Sequence, residues 1–190
     1  MKQRTNYGNW VPATILRISY GCAVAFLLLF FFSAFCWHNF WAAVIAGLWA
    51  LAAVVIAVFM QVCHHTFSFN GGGLMGEIHQ FLIDHLDWDG HGTLLDIGCG
   101  AGALTNRCAK QFPEATLQGM DYWGMGWDYA KEQCERNAEI EGVADRVTFS
   151  KGDASKLDFA DESFDAAVSN FVFHEVKTQP DKREVVREAL

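Results

Sequence analysis

Hydrophobic and polar positions divide this chain into two parts. No Asp, Glu, Lys or Arg occurs from Ile18 to Gly76, and this apolar stretch is broken at His38 and Asn39 into two runs, residues 19–37 and 40–62. Each run is close to the roughly 20 residues that a helix needs to cross a bilayer, so the pattern predicts two transmembrane helices. The short break between them requires a tight hairpin, which returns both ends to one side of the membrane. Ala42, Ala46 and Ala50 recur every fourth residue and predict a small-residue seam on the second span, with Gly21 and Ala25 offering close approach on the first. Tyr7 and Trp10 are expected at one membrane interface, and Trp37, Phe40 and Trp41 at the other.

Beyond the spans the pattern changes to short apolar runs alternating with segments of helical period. Residues 63–76, with Asn70, Gly71, Gly72 and Gly73, read as a linker. Ile78, Phe81, Leu82, His85 and Leu86 predict a helix that Asp89 and Gly90 end. A strand at 94–97, a helix at about 103–111 stopped by Pro113, and a strand at 116–120 running into Asp121 follow. Next are a helix from about 127 to 141 ending at Gly142, strands at 147–150 and 164–169, and a helical pattern from about 181 to 190. This alternation predicts an α/β domain over residues 77–190, a parallel sheet covered by helices on both faces.

Charge adds an orientation. All 22 acidic residues lie at Glu77 or beyond, whereas Lys2, Arg4 and Arg17 precede the first span with no acid among them. The positive-inside bias then keeps the N-terminus and the domain cytoplasmic. A net charge of −8 and the absence of a basic patch after the spans exclude nucleic acid as an expected partner. The 6 cysteines have no disulfide or metal spacing, and Cys63, His64 and His65 fall short of the four ligands of a structural zinc site, so no metal is expected.

The chemistry concentrates in LLDIGCGAG, residues 94–102, an apolar strand that meets Asp96 and then Gly98, Gly100 and Gly102. A glycine turn at a strand end lets backbone approach a nucleotide-like ligand, and Asp121 follows at about the 20-residue distance of a ribose-binding acid. The dinucleotide pattern GxGxxG is not matched, and Asp96 would set negative charge beside a pyrophosphate. A nicotinamide oxidoreductase is therefore the weaker reading.

From about residue 76 onward the chain resembles the class I S-adenosylmethionine-dependent methyltransferases. DIGCGAG is similar to that family's first motif, GMDYW at 119–123 to its second-strand acid, and GDASKLDFADESFDAAVSNFVFHEV at 152–176 to its adenine and fourth-strand motifs. The resemblance implies a Rossmann-like sheet and S-adenosyl-L-methionine as cofactor. By the same resemblance Asp121 takes the ribose hydroxyls, Tyr122 or Trp123 packs on adenine, and Asp153 with the Ala154 amide reads the adenine edge. Asp96, Gly98, Cys99, Gly100 and Gly102 form the turn around the methionine part, and Asn170 offers a backbone carbonyl to the cofactor's amino group. His174 is the expected general base.

The family's amino-group methyltransferases carry two prolines where this chain has Phe171 and Val172, so the resemblance points instead to the branch acting on small molecules such as quinones, sterols and other lipids. A membrane hairpin suits a lipid-like acceptor. The family's sheet continues for three more strands, so a chain ending at Leu190 is expected to be cut short. The competing reading is a membrane protein that binds S-adenosylmethionine or S-adenosylhomocysteine without catalysis.

Overall fold

The computed structural model describes residues 4–69, 73–124 and 130–190. It consists of two compact units. One is formed by residues 9–75, and the other by residues 76–190 together with the segment before residue 9.

The first unit is a helical hairpin. Helix α1 (Ala13–Phe31) follows Pro12 and continues into one π-helical turn, Phe32–Cys36, and α2 spans Phe40–Thr66. His38 makes the turn at φ +48°, and Asn39 caps α2 by accepting a 3.0 Å hydrogen bond from the Ala42 amide. The helix runs through Cys63, His64 and His65 because nothing there breaks it, so the expected linker is shortened to the stretch before α3; Asn70, Gly71 and Gly72 lie outside the described residues.

The seam on α2 is Ala43, Ala46, Ala50, Ala53 and Ala57, not the stripe through Ala42. At 3.6 residues per turn a buried face must alternate steps of three and four, and a strict spacing of four drifts off it. On α1, Ala23 and Phe26 meet this seam, whereas Gly21 faces open space. Tyr20 donates to Gln61 at 2.9 Å, and Asn9 donates to the His64 carbonyl at 2.8 Å. The outer surface carries exposed Leu28, Phe35, Phe40, Trp41, Leu48 and Leu51.

The second unit is a parallel four-stranded sheet in the order β3-β2-β1-β4, built from β1 (Gly92–Ile97), β2 (Ala115–Asp121), β3 (Val147–Lys151) and β4 (Ala166–Val168). Its helices are α3 (Leu74–Asp84), α4 (Ala103–Gln111), α5 (Lys131–Glu141) and α6 (Lys182–Glu188). The expected order of elements is observed. Residues 127–129 of the expected fifth helix lie outside the described residues, and α5 ends at Gly142 with φ +74°. Asp181 caps α6 instead of joining it, accepting from the Arg183 amide at 3.0 Å.

Strand β4 is three residues, shorter than its apolar run. Asp165 leaves the strand to accept from the Thr93 amide at 2.7 Å, and Phe164 packs edge-on against Phe159. Residues on both faces of β1 are buried, with Leu94 in one core cluster and Leu95 and Ile97 in the other. The central strand is therefore apolar without alternation, as parallel sheets require.

The chain before the hairpin belongs to this unit. The Asn6 amide donates to Asn137 Oδ1, and Asn137 Nδ2 returns a bond to the Asn6 carbonyl, both at 2.9 Å. Tyr7 donates to Glu141 at 3.0 Å and accepts from Asn106 Nδ2 at 3.2 Å, and its burial pushes the phenol above its ordinary pKa. Tyr7 is thus docked on α4 and α5, where Asn106 and Glu141 supply the polar partners of its hydroxyl and Asn137 holds the backbone of Asn6 before it. Trp10 remains with the hairpin, stacked on Phe67.

Candidate functional site

Strand β1 leads to β2 on one side and pairs with β4 on the other, so the strand order reverses between β1 and β4. Open α/β sheets bind ligands in the crevice at the carboxyl ends of strands at such a point. The glycine turn leaves β1 there, and the turn after β4 faces it: the Val172 side chain lies where a Cβ on Gly98 would be, at 2.1 Å.

Four of the five amides of residues 98–102 are spent within the protein. Those of Gly98 and Cys99 both donate to the Met120 carbonyl, at 2.7 and 3.0 Å, that of Gly100 to Asp121 Oδ2 at 2.9 Å, and that of Gly102 to the Cys99 carbonyl at 2.8 Å. A pyrophosphate site needs such groups free to point at the anion. This turn is therefore built to bring backbone close to a ligand, not to bind phosphate, which removes the support for a dinucleotide.

Asp121 stands at the end of β2. Its Oδ2 accepts from Gly100 and its Oδ1 from the Trp123 amide at 2.8 Å. Each carboxylate oxygen has two lone pairs, so one on each remains for a pair of ligand hydroxyls. Trp123 is held at φ +45° with its indole donating to the Gly100 carbonyl at 3.0 Å. That commits Trp123 to the turn and leaves Tyr122, 58% exposed, as the ring available to a base. Lys151 Nζ lies 5.5 Å from the Tyr122 ring centroid.

Cys99 points inward. Its thiol is buried against Cys134, whose hydrogen bond, with burial, raises the pKa of the Cys99 thiol well above its usual value, and Cys134 in turn donates to the Gly100 carbonyl at 3.1 Å. Gly102 takes φ +78° at the start of α4. Asp153 follows β3, and its Oδ1 accepts from the Ser155 amide and hydroxyl, both at 2.8 Å, and from Thr178 at 3.0 Å. Burial raises its pKa, but these bonds outweigh burial and hold the carboxyl below the usual range, so Asp153 is an acceptor at neutral pH. Ala154 beside it is buried in the second core cluster.

Asp96 is buried at the end of β1 and accepts from Thr105 Oγ1 at 2.6 Å. Burial pushes its carboxyl up to about 7; Thr105 opposes this and the Asp121 charge adds to it. The folded state therefore binds a proton that the unfolded chain releases near pH 4, and this contribution to stability is full below about pH 4 and lost as pH rises through about 7. The thermal midpoint of the cofactor-free protein is expected to fall between pH 5 and 8 by about 5 °C or more, and Asp96→Asn to lose most of that fall. Equal slopes in the two proteins would assign the pH dependence elsewhere.

Asn170 lies after β4, with its Nδ2 3.1 Å from His79 Nε2. His79, on α3, is not among the residues that the helical pattern singles out. That pattern selects Phe81 and His85, which are exposed and stack on each other, whereas the buried positions are Met75, His79 and Ile83, in steps of four. A polar residue at a core position has no signal in an apolar count, and only its spacing from Met75 and Ile83 points to it. His174 lies outside this network. It is in a 3-10 turn, Phe173–Glu175, with its side chain 62% exposed and 3.3 Å from Glu175.

The donor set fits an adenosine-bearing cofactor without a pyrophosphate. Carboxylates stand at or just beyond the ends of three adjacent strands, Asp121 and Asp153 with acceptor capacity left, and the exposed Tyr122 adjoins Asp121. No group of three or more metal-ligating side chains occurs among the described residues.

Comparison with known proteins identifies the domain that carries this site. A family model described as a methyltransferase domain matches residues 94–190. A sterol 24-C-methyltransferase of Yarrowia lipolytica is 38% identical over 73 residues, which are 38% of this chain and 18% of that protein. The biotin biosynthesis bifunctional protein BioHC of Teredinibacter turnerae is 33% identical over 109 residues, 55% of this chain and 16% of that one. The matched stretch thus spans about a sixth of the length of these relatives. Among solved structures, the [4+2]-cyclase SpnF superposes with a TM-score of 0.51 at 26% identity, covering 60% of this chain and 39% of its own.

Proposed function

The chain belongs to the class I S-adenosylmethionine-dependent methyltransferase family, and from that premise we propose that it is a membrane-anchored methyltransferase acting on a small, lipid-like acceptor. The observation that carries the anchor is the outer surface of the hairpin. Phe40 and Trp41 are more than 70% exposed, and Leu28, Phe35, Leu48 and Leu51 more than 60%. A contiguous apolar surface of this extent is costly in water and favourable in lipid.

The hairpin is inserted within the folded domain, since Asn6 and Tyr7 hydrogen-bond to α4 and α5 and the chain returns to the same unit at residue 76. Both ends of the hairpin are thereby held on one face of a bilayer, and the basic N-terminal residues favour the cytoplasmic face. An active site tethered there meets a membrane-embedded acceptor at high effective concentration. The sterol methyltransferase among the relatives supports an apolar acceptor.

S-adenosylmethionine supplies an activated methyl group, so the residues of this chain have to bind, orient and exclude water. Asp121 takes the ribose, Tyr122 and Asp153 the adenine, and the turn through Gly98 lies along the methionine part. His174 is the proposed base, reaching the acceptor from the turn after β4.

Full-length protein in vesicles of native lipid is incubated with methyl-labelled cofactor and the products are partitioned. Label in the organic phase is expected. Label confined to the aqueous phase rejects the lipid-like acceptor, and cofactor binding by calorimetry without any transfer favours a non-catalytic binder. A reporter fused after residue 76 and active only outside the cytoplasm would reject the orientation.

A further inference from the structure

The turn after β4 is strained and clamped from several sides. Phe171 has φ +58°, a conformation that costs a bulky residue on the order of 1–2 kcal/mol, and the residue is 47% exposed. Such strain persists only where surrounding groups over-determine the backbone. Ser169 donates to the Ile97 carbonyl at 2.9 Å, tying the start of the turn to the end of β1. Val172 seats on Gly98. Between them Asn170 reaches away from the sheet to His79 on α3.

His79 is 3% exposed, and burial together with the Arg107 guanidinium lowers its pKa to about 4. The imidazole is therefore neutral at pH 7. With Nε2 facing the Asn170 amide nitrogen, the amide donates and Nε2 accepts, which places the imidazole proton on Nδ1. The bond joins a buried imidazole to a partly buried amide and holds both partners in one geometry.

We propose that His79 is a positioning residue for the cofactor site: by accepting from the Asn170 side chain it locks the strained 169–172 turn against the Gly98 turn, so that the Asn170 backbone carbonyl is presented to the cofactor's amino group. The proposal rests on the S-adenosylmethionine reading above. His79 touches no reacting atom; it acts through Asn170. When the clamp is released, Phe171 relaxes toward negative φ and the carbonyl of its neighbour rotates with the shared peptide plane.

Calorimetry on the full chain in detergent tests this, with S-adenosylmethionine and with an analogue whose α-amino group is replaced by hydrogen. His79→Leu and Asn170→Ala are each expected to weaken S-adenosylmethionine binding about tenfold, the double variant no more than either alone. His79→Gln, whose carboxamide oxygen restores an acceptor near the Nε2 position, is expected to stay within about threefold of the parent. Neither loss should appear with the analogue, a discrimination that general loosening of the fold would not produce.

Unchanged affinity in Asn170→Ala, or equal losses for cofactor and analogue, overturns the proposal. If His79→Leu does not fold, Asn170→Ala and His79→Gln decide it: a loss in His79→Gln as large as in Asn170→Ala also overturns it. A parent protein that binds neither ligand rejects the cofactor reading itself and this proposal with it. A parent that binds both while the variants lose nothing rejects this proposal alone.

Discussion

Replacement of Gly98 by Ala is expected to abolish measurable cofactor binding and to lower stability by about 3 kcal/mol, the sum of a left-handed backbone and a steric clash. Gly98 sits at φ +78°, and a Cβ there would lie 2.1 Å from Val172 Cγ2, 2.5 Å from Cγ1 and 2.8 Å from Cβ. Because the Val172 Cβ itself is too close, no rotation of that side chain relieves the overlap, and the backbone of one turn must move. The turns that move are the two that line the crevice between β1 and β4. Gly142 supplies the control, since it has φ +74° with nothing within 4 Å of its Cβ position. Gly142→Ala bears the backbone cost alone, about 1 kcal/mol, and leaves cofactor affinity unchanged. Thermal midpoints and calorimetric titrations of the two variants separate strain from close approach, and a Gly98→Ala protein that binds as well as the parent would falsify the placement of the site.

The order of elements was legible because each carries a local signal: parallel strands buried on both faces read as short apolar runs, and glycine or proline punctuates them. Gly142 and Asp121 fall where that punctuation puts them. The errors arise where a tertiary partner decides. The docking of Tyr7 on α4 and α5 has no local signal, because Asn106 and Glu141, about 100 and 134 residues away in sequence, claim its hydroxyl. His79 is invisible to an apolar count because its place in the core depends on Asn170, 91 residues on. The seam on α2 shifted by one residue at its start since a spacing of four matches a helix only over a turn or two.

The candidate site shows the same division. The types and spacing of Asp96, Gly98, Gly100 and Asp121 point to a nucleotide-like ligand, and only the motif resemblance makes that ligand an adenosine and assigns Asp153 and the others their roles. The use of the turn's own amides is not written in spacing at all. That Gly98, Cys99 and Gly100 spend their N–H groups on Met120 and Asp121 is a property of β2 lying beside β1 in register, Ile97 opposite Met120. It distinguishes this turn from a phosphate cradle more firmly than the GxGxxG test does, because it concerns which groups remain free.

Asp121→Asn is expected to weaken cofactor binding at least 100-fold, more than the loss of ribose contacts alone would explain. Both oxygens of Asp121 accept from backbone amides, Oδ2 from Gly100 and Oδ1 from Trp123. An asparagine must turn its amino group toward one of them, which sets donor against donor and leaves a partly buried N–H unsatisfied, at a cost of about 1–3 kcal/mol. The two choices are unequal in effect. Facing Gly100, the amino group pushes on the glycine turn; facing Trp123, it releases a residue held at φ +45° whose indole also ties down the Gly100 carbonyl. Either way the turn through Gly100 loses an anchor before any ligand arrives. A cofactor analogue lacking both ribose hydroxyls separates the two contributions. With the parent protein its affinity reports the ribose bonds; with Asp121→Asn the residual loss reports the turn. Equal binding of the analogue to both proteins would confine Asp121 to the ribose and reject its second role as the buttress of the glycine turn.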